Sequence, residues 1–229
     1  MSGIQSGTLN GLAVDAARAD ILRAGASLFA RGYVHASAGN ISTRLEDGFL
    51  ITPTDAPLGF LQADRLAHVA ADGTQLSGDR ASKTLALHRR IYAADPSARV
   101  VIHTHATHLV ALTLLDVWHE DDILPPLTPY QVMKVGHVPL IAYHRPGHPD
   151  VAELVEAAIR TRAESGTRLR AVMLERLGPV VWGPDIASAM ATLEELEETA
   201  RLWLVTGRTP TPLSESALED LAAAFSTPW

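Results

Sequence analysis

Two Asp-Gly turns, each set between short runs of strand-forming residues, constrain this chain more than any other feature. Asp47-Gly48 separates Asn40 to Arg44 from Phe49 to Thr52, and Asp72-Gly73 separates His68-Val69-Ala70 from Gln75-Leu76. Turns of this type suit the twist of antiparallel strands, whereas parallel neighbours need a crossover of a dozen or more residues. Helical stretches are nevertheless interleaved with the strands. Residues 14 to 31 repeat Ile21, Leu22, Ala26 and Phe29 at helical spacing, with Gly32 placed to end the helix. Ser82 reads as the N-cap of a helix to about Asp95, and Pro96 stops it. Arg99 to His105 reads as a strand and Thr107 to Leu115 as a buried helix. After a proline-rich loop at Pro125, Pro126 and Pro129 come a strand from Val138 to Tyr143 and a helix from Pro149 to Glu164. Strands over Leu169 to Leu174 and Pro179 to Trp182 follow. Asp185 caps a long helix ending near Gly207, and a last helix runs from Ser214 to Phe225. This mixture predicts a three-layer α/β/α domain with a mostly antiparallel or mixed central sheet.

A chain of 229 residues fits one domain, here read as residues 1–229 with residues 1–10 as a polar Gly/Ser tail. The net charge of −7 argues against nucleic acid or an anionic membrane as the partner. The apolar runs are too short to span a bilayer, and the N-terminus lacks the basic and apolar regions of a signal peptide, so a cytoplasmic protein is expected. With no cysteine, any metal must be held by histidines and carboxylates.

His103-Thr104-His105 is the sharpest chemical feature. On a strand, residues i and i+2 point to the same face, so both imidazoles would project together from the strand end. That spacing suits two ligands of a divalent metal, and equally two hydrogen-bonded histidines. His108 follows as either a supporting group or a surface residue. Ser37-Ala38-Gly39-Asn40-Ile41-Ser42 is small enough for backbone to approach a ligand closely, and its amides and hydroxyls suit phosphate oxygens. Thr52-Pro53-Thr54-Asp55 is a stiff hydroxyl-bearing turn, and Ser82-Lys83-Thr84 opens a helix whose N-terminus attracts anions.

In this order the motifs resemble the class II, metal-dependent, aldolase/adducin family, in particular members related to fuculose-phosphate aldolase. Ala38-Gly39-Asn40-Ile41-Ser42, Thr52-Pro53-Thr54, Ser82 with His88 downstream, and His103-Thr104-His105 carry the resemblance. Leu124-Pro125-Pro126-Leu127-Thr128-Pro129-Tyr130, Arg145-Pro146-Gly147 and Glu194 to Ala200 are similar to the 3-oxo-tetronate 4-phosphate decarboxylases within that family. The resemblance implies a class II aldolase-like fold and a carbon–carbon lyase, either decarboxylating a 3-oxo-tetronate 4-phosphate-type sugar acid or cleaving a sugar phosphate. It implies that Gly39, Asn40, Thr54 and Ser82 bind the substrate phosphate. Lys83, Thr84 and Tyr143 would stand at the reacting centre. His103 and His105 would hold a divalent metal, zinc in most members, with iron or manganese as substitutes. It also implies a homotetramer with the site at a subunit interface.

Two departures matter. The family's catalytic Glu falls on Thr84 and its third metal-binding His falls on Leu177. A threonine cannot hold a transferable proton near neutral pH and a leucine cannot bind metal. Glu175, His144 and His148 are candidate substitute ligands, and His35 is another unusual histidine. Decarboxylation tolerates these losses better than aldol cleavage, since it needs mainly an electron sink and then a proton from water, His108 or Tyr143. Two alternatives follow from the same changes: a non-haem iron oxygenase-like enzyme, and a non-catalytic adducin-like binding protein.

Overall fold

The computed structural model describes residues 2–226 and Trp229. Helix α1 runs over Ser2–Ala30. It therefore takes in residues 2–10, which the sequence reading assigns to a tail: no proline interrupts this stretch, so the backbone ladder can continue through its glycines. Strands β1 (Asn40–Arg44), β2 (Gly48–Ile51), β3 (Ala67–Ala70) and β4 (Gln75–Ser77) form an antiparallel meander built on the two Asp-Gly turns. Helix α2 (Leu85–Ala94) leads to β5 (Val100–His103), and α3 (Thr107–Leu115) follows. After the proline loop come β6 (Leu140–Ile141), α4 (Pro149–Glu164), β7 (Ala171–Leu174) and β8 (Gly178–Gly183). Helices α5 (Ile186–Val205) and α6 (Glu215–Phe225) close the chain. None of the described helices is long and apolar enough to cross a membrane.

Among the described residues, eight strands form one mixed sheet in the order β4-β3-β2-β1-β5-β8-β7-β6. Every pairing is antiparallel except β6 with β7, whose connection through α4 is long enough for a crossover. The pleat sorts the core into two layers. Val100 and Ile102 face a cluster with Leu28, Leu109, Leu193 and Trp203 from α1, α3 and α5. Val101 faces the other cluster, with Leu87, Ile91, Val155 and Ile159 from α2 and α4. Trp182 is fully buried in that second layer, and its Nε1–H donates to Asp95 Oδ2 at 3.1 Å, so the apolar filling leaves no orphaned indole proton.

Two boundaries differ from the sequence reading in ways that reach the site. Strand β5 ends at His103, so His105 lies in the turn toward α3 rather than on the strand. The ladder runs out there because Asn40 and Val180 are the last residues registered against His103. Helix α2 is capped by position Thr84 and not by Ser82; Ser82 Oγ instead accepts the Thr84 N–H at 3.3 Å within the entering turn.

Candidate active site

A cleft of about 460 Å³ opens where β1 begins and β5 ends, against the start of α2 and the loop before α4. Its walls include Gly39, Asn40, Thr54, Ser82, Lys83 and Thr84, and His103 and His105 reach it from the β5 end. Residues assigned from four separate motifs thus meet in one concavity, the arrangement expected of a ligand site.

The pairing of β1 with β5 explains half of this convergence. Asn40 stands opposite His103, and Ser42 opposite Val101, so Asn40, Ser42 and His103 share the α2 face. Gly39 precedes them at φ +84°, and a Cβ there would lie 2.8 Å from the His103 carbonyl oxygen and 2.8 Å from Val34 Cγ1. Only glycine lets the loop pass this close to β5. Thr52 ties the neighbouring turn to the loop: its Oγ1 accepts the Ile41 N–H at 3.2 Å and its N–H donates to the Ile41 carbonyl at 3.0 Å. Thr54 and Asp55 are thereby held at the cleft, with Asp55 at φ +58°, a left-handed conformation that Asp tolerates better than most residues.

A buried hydrogen-bond chain runs beneath Asn40. His88 of α2 has no exposed surface. Its Nε2 lies 2.7 Å from Asn40 Oδ1, and its Nδ1 lies 2.7 Å from Ser42 Oγ, which lies 2.7 Å from the Tyr92 hydroxyl. An amide oxygen only accepts, so Nε2 carries the proton and Nδ1 accepts from Ser42. This leaves the Asn40 amide nitrogen as a donor toward the cleft. Burial, then the nearby His103 imidazole, lowers the His88 pKa to about 3, which keeps the ring neutral. Tyr92 is pushed up by burial and stays protonated. Tyr92 was not singled out from the sequence; its i+4 spacing from His88 on α2 was the available signal.

His103 is almost fully buried, and its Nδ1 is 2.9 Å from the Pro179 carbonyl. A carbonyl cannot donate, so Nδ1 carries hydrogen and Nε2 keeps a lone pair, the tautomer in which metal-binding histidines are commonly held. Burial, then the neighbouring His105, lowers its pKa to about 4. His105 is lowered too, by burial and then by His35. The His103 and His105 ring centroids are 5.1 Å apart, and His35 lies 6.4 Å from His105. Two neutral imidazoles, that of His103 with its tautomer fixed by a carbonyl, fit a divalent ion. Among the described residues, no third His, Asp or Glu joins them in a set whose donor atoms all lie within 4.8 Å.

Of the remaining candidates, His35 and His148 also line the cleft, whereas Glu175, Tyr143, His108 and His144 lie outside its lining. Leu177 lines the cleft with an apolar side chain. Glu175 is turned away, its Oε2 accepting the Tyr143 N–H at 2.8 Å. Tyr143 is 54 % exposed and is not among the cleft residues, because β6 ends at Ile141 and the chain turns outward after it. His108 donates its backbone N–H to Glu197 Oε1 at 3.0 Å and pairs with the same oxygen through Nδ1 at 2.8 Å, outside the cleft. Thr84 Oγ1 is 2.9 Å from Ser82 Oγ, so the two hydroxyls are held as one polar patch. Lys83 Nζ lies 3.8 Å from Asp55 Oδ2, both exposed at the mouth. Arg145 adds a second cation to the lining.

A cleft lined by hydroxyls and amides beside paired imidazoles, at the β5 end of a three-layer α/β/α domain, defines the class of protein. Residues 19–204 match the family described as the class II aldolase and adducin N-terminal domain, and the chain belongs to that family. It is 55 % identical over 217 residues to a 3-oxo-tetronate 4-phosphate decarboxylase of Cupriavidus necator, covering 93 % of this chain and 97 % of that protein. A protein of the same name from Pectobacterium atrosepticum is 43 % identical over 192 residues, covering 83 % and 85 %. The crystal structure of YgbL from Klebsiella pneumoniae superposes with a TM-score of 0.84 at 38 % identity, covering 91 % of this chain and 98 % of that one.

Proposed function

We propose that this chain is a carbon–carbon lyase that decarboxylates a phosphorylated 3-oxo sugar acid of the 3-oxo-tetronate 4-phosphate type. The observation that carries the reading is the meeting of Gly39, Asn40, Thr54 and Ser82 with His103 and His105 in one cleft. The relatives named for this activity, similar over nearly the whole chain, support it. In this reading the Gly39 backbone, the Asn40 amide and the Thr54 and Ser82 hydroxyls hold the phosphate. Lys83, drawn to Asp55 at the mouth, orients the substrate carboxylate. Breaking the bond from that carboxylate to the carbon chain releases carbon dioxide, the electron pair passes to the 3-oxo oxygen, and a proton from water returns to carbon. His103 and His105 would hold a divalent ion, zinc by analogy with the family, which supplies the positive charge that stabilises the developing oxyanion. Two protein ligands hold such an ion weakly, since catalytic zinc commonly has three.

Thr84 has no proton-transfer role in this scheme; with Ser82 it completes the hydroxyl patch. A homotetramer in the cytoplasm, with the cleft near a subunit interface, completes the proposal. Thr84 and Leu177, which remove the family's acid/base and third ligand, favour one second reading: a binding protein that keeps the phosphate cleft without turnover.

The test is to incubate the zinc-supplemented protein with 3-oxo-tetronate 4-phosphate. Carbon dioxide and a three-carbon hydroxyketone phosphate should appear in equal amounts, and Asn40→Ala should remove the activity. Ligand binding with no carbon dioxide would overturn the lyase reading in favour of the second.

A further inference from the structure

The loop between β6 and α4 carries a second group of metal-ligating side chains that the cleft chemistry does not use. His144, His148 and Asp150 each offer one donor atom, and the three atoms lie within 4.8 Å of one another. The two imidazole centroids are 5.2 Å apart, inclined at 51°. His148 Nδ1 lies 3.5 Å from Asp150 Oδ1. Two ligands of one tetrahedral ion, bonded at about 2.1 Å, stand about 3.4 Å apart. The His148–Asp150 pair therefore already has the separation that a shared ion requires, and only His144 has to close in.

Hydrogen bonding leaves suitable lone pairs on both rings. His144 Nδ1 is 2.8 Å from the Ala142 carbonyl, which can only accept. Nδ1 therefore carries hydrogen, and Nε2 is left with its lone pair, the same arrangement by which a carbonyl orients a metal-bound imidazole. His148 Nδ1 accepts a single long bond, 3.3 Å, from the Asp150 N–H. Its lone pair thus already points to the Asp150 side, and the contact an ion would displace is weak.

The backbone is stiff where the ligands sit. Pro146 and Pro149 restrict φ on either side of His148, and Gly147 takes the turn at φ +77°. The His148 N–H closes that turn on the Arg145 carbonyl at 3.0 Å. Pro149 opens α4, so Asp150 is held in the first helical turn. Gathering these three ligands orders little additional chain, which lowers the entropic cost of binding.

We propose that His144, His148 and Asp150 form a divalent transition-metal site at the rim of the cleft, separate from His103 and His105. Two imidazoles and one carboxylate suit zinc, cobalt or nickel, with water in the remaining positions. Arg145, Pro146, Gly147 and His148 of the same loop line the cleft, so an ion held here stands beside its mouth and adds positive charge where an anionic ligand enters. The site does not depend on the cleft being a lyase centre.

The untagged full-length protein, stripped with chelator, is titrated with cobalt(II), followed by the visible absorption of the bound ion and by calorimetry. The doubly substituted His103→Ala/His105→Ala protein should still bind one cobalt ion per chain. Adding His148→Ala or His144→Ala to it should weaken that binding by more than about 100-fold, the upper end of what loss of a merely supporting group costs. If the double variant does not fold, the same rim substitutions in the wild-type background should remove one ion equivalent and its spectral component. Both rim variants should stay folded without metal; His148→Ala also removes the side-chain cap of α4 and should lower the metal-free unfolding midpoint. No cobalt on a folded double variant, or undiminished binding after loss of His144 or His148, would overturn the proposal.

Discussion

Replacing His88 with glutamine should flatten the acid side of the stability curve. His88 is fully buried, and its pKa is lowered to about 3, while an imidazole in the unfolded chain titrates near 6.5. Between those values the unfolded chain binds a proton and the folded one does not. Stability from this group is therefore complete above about pH 6.5 and falls as the pH drops toward 3. At about pH 5 the deficit is about 1.5 pH units at 1.36 kcal/mol each, or about 2 kcal/mol. His103, lowered to about 4, adds a similar loss of about 2 kcal/mol. Metal-free protein at one fixed concentration is unfolded with denaturant at about pH 7.5 and about pH 5. His88→Gln lowers stability at both pH values by breaking the bonds to Asn40 and Ser42. Its loss between the two pH values should nevertheless be about 2 kcal/mol smaller than that of the wild type. Equal losses in the two proteins would refute the picture of His88 as a neutral, proton-excluded link under Asn40.

Gly39→Ala should destabilise the protein by about 1–3 kcal/mol, because an L-residue at φ +84° is strained and its Cβ meets the His103 carbonyl oxygen at 2.8 Å. It should also weaken binding of a sugar phosphate in the cleft, read by calorimetry; wild-type stability and affinity would show that the loop does not depend on this close approach. Leu177→His, made in a His148→Ala background to remove the rim site, should raise zinc affinity by more than about 100-fold by adding a third imidazole to the cleft wall. Unchanged zinc affinity would mean that position 177 does not face the His103–His105 pair.

Much of the local architecture is written in short-range signals. Helix α3 and helix α4 keep the bounds read from the sequence, Thr107–Leu115 and Pro149–Glu164; for α4 the local signal is Pro149 at the first helical position with His148 capping it. Strand β1 does so as well, since Asp47-Gly48 determines where its hairpin turns. The residues that gather at the cleft were also legible, because their motifs and order follow a family pattern. The sheet type followed from the same turns, and the one parallel pair, β6 with β7, is the pair joined through a helix.

Other properties belong to contacts between distant segments. His105 leaves the strand because the ladders with β1 and β8 end at His103, a fact no local propensity encodes. The chain from Asn40 through His88 and Ser42 to Tyr92 joins β1 to α2, and only the packing of that helix on the sheet brings the four together. Tyr143 is left outside the cleft by the two-residue length of β6, which depends on its neighbour β7 and not on the β-forming residues around it. The rim cluster has the same origin at shorter range: His144 and His148 are four apart in sequence, and it is the turn at Gly147 and the start of α4 that bring them within reach of Asp150. The sequence by itself determined which residues are available for anion and metal chemistry and most of the elements that carry them, because those signals are local. The tertiary structure decided which of them share a cavity, in what tautomer and at what depth, because burial and hydrogen-bond pairing are set by the other side of the fold.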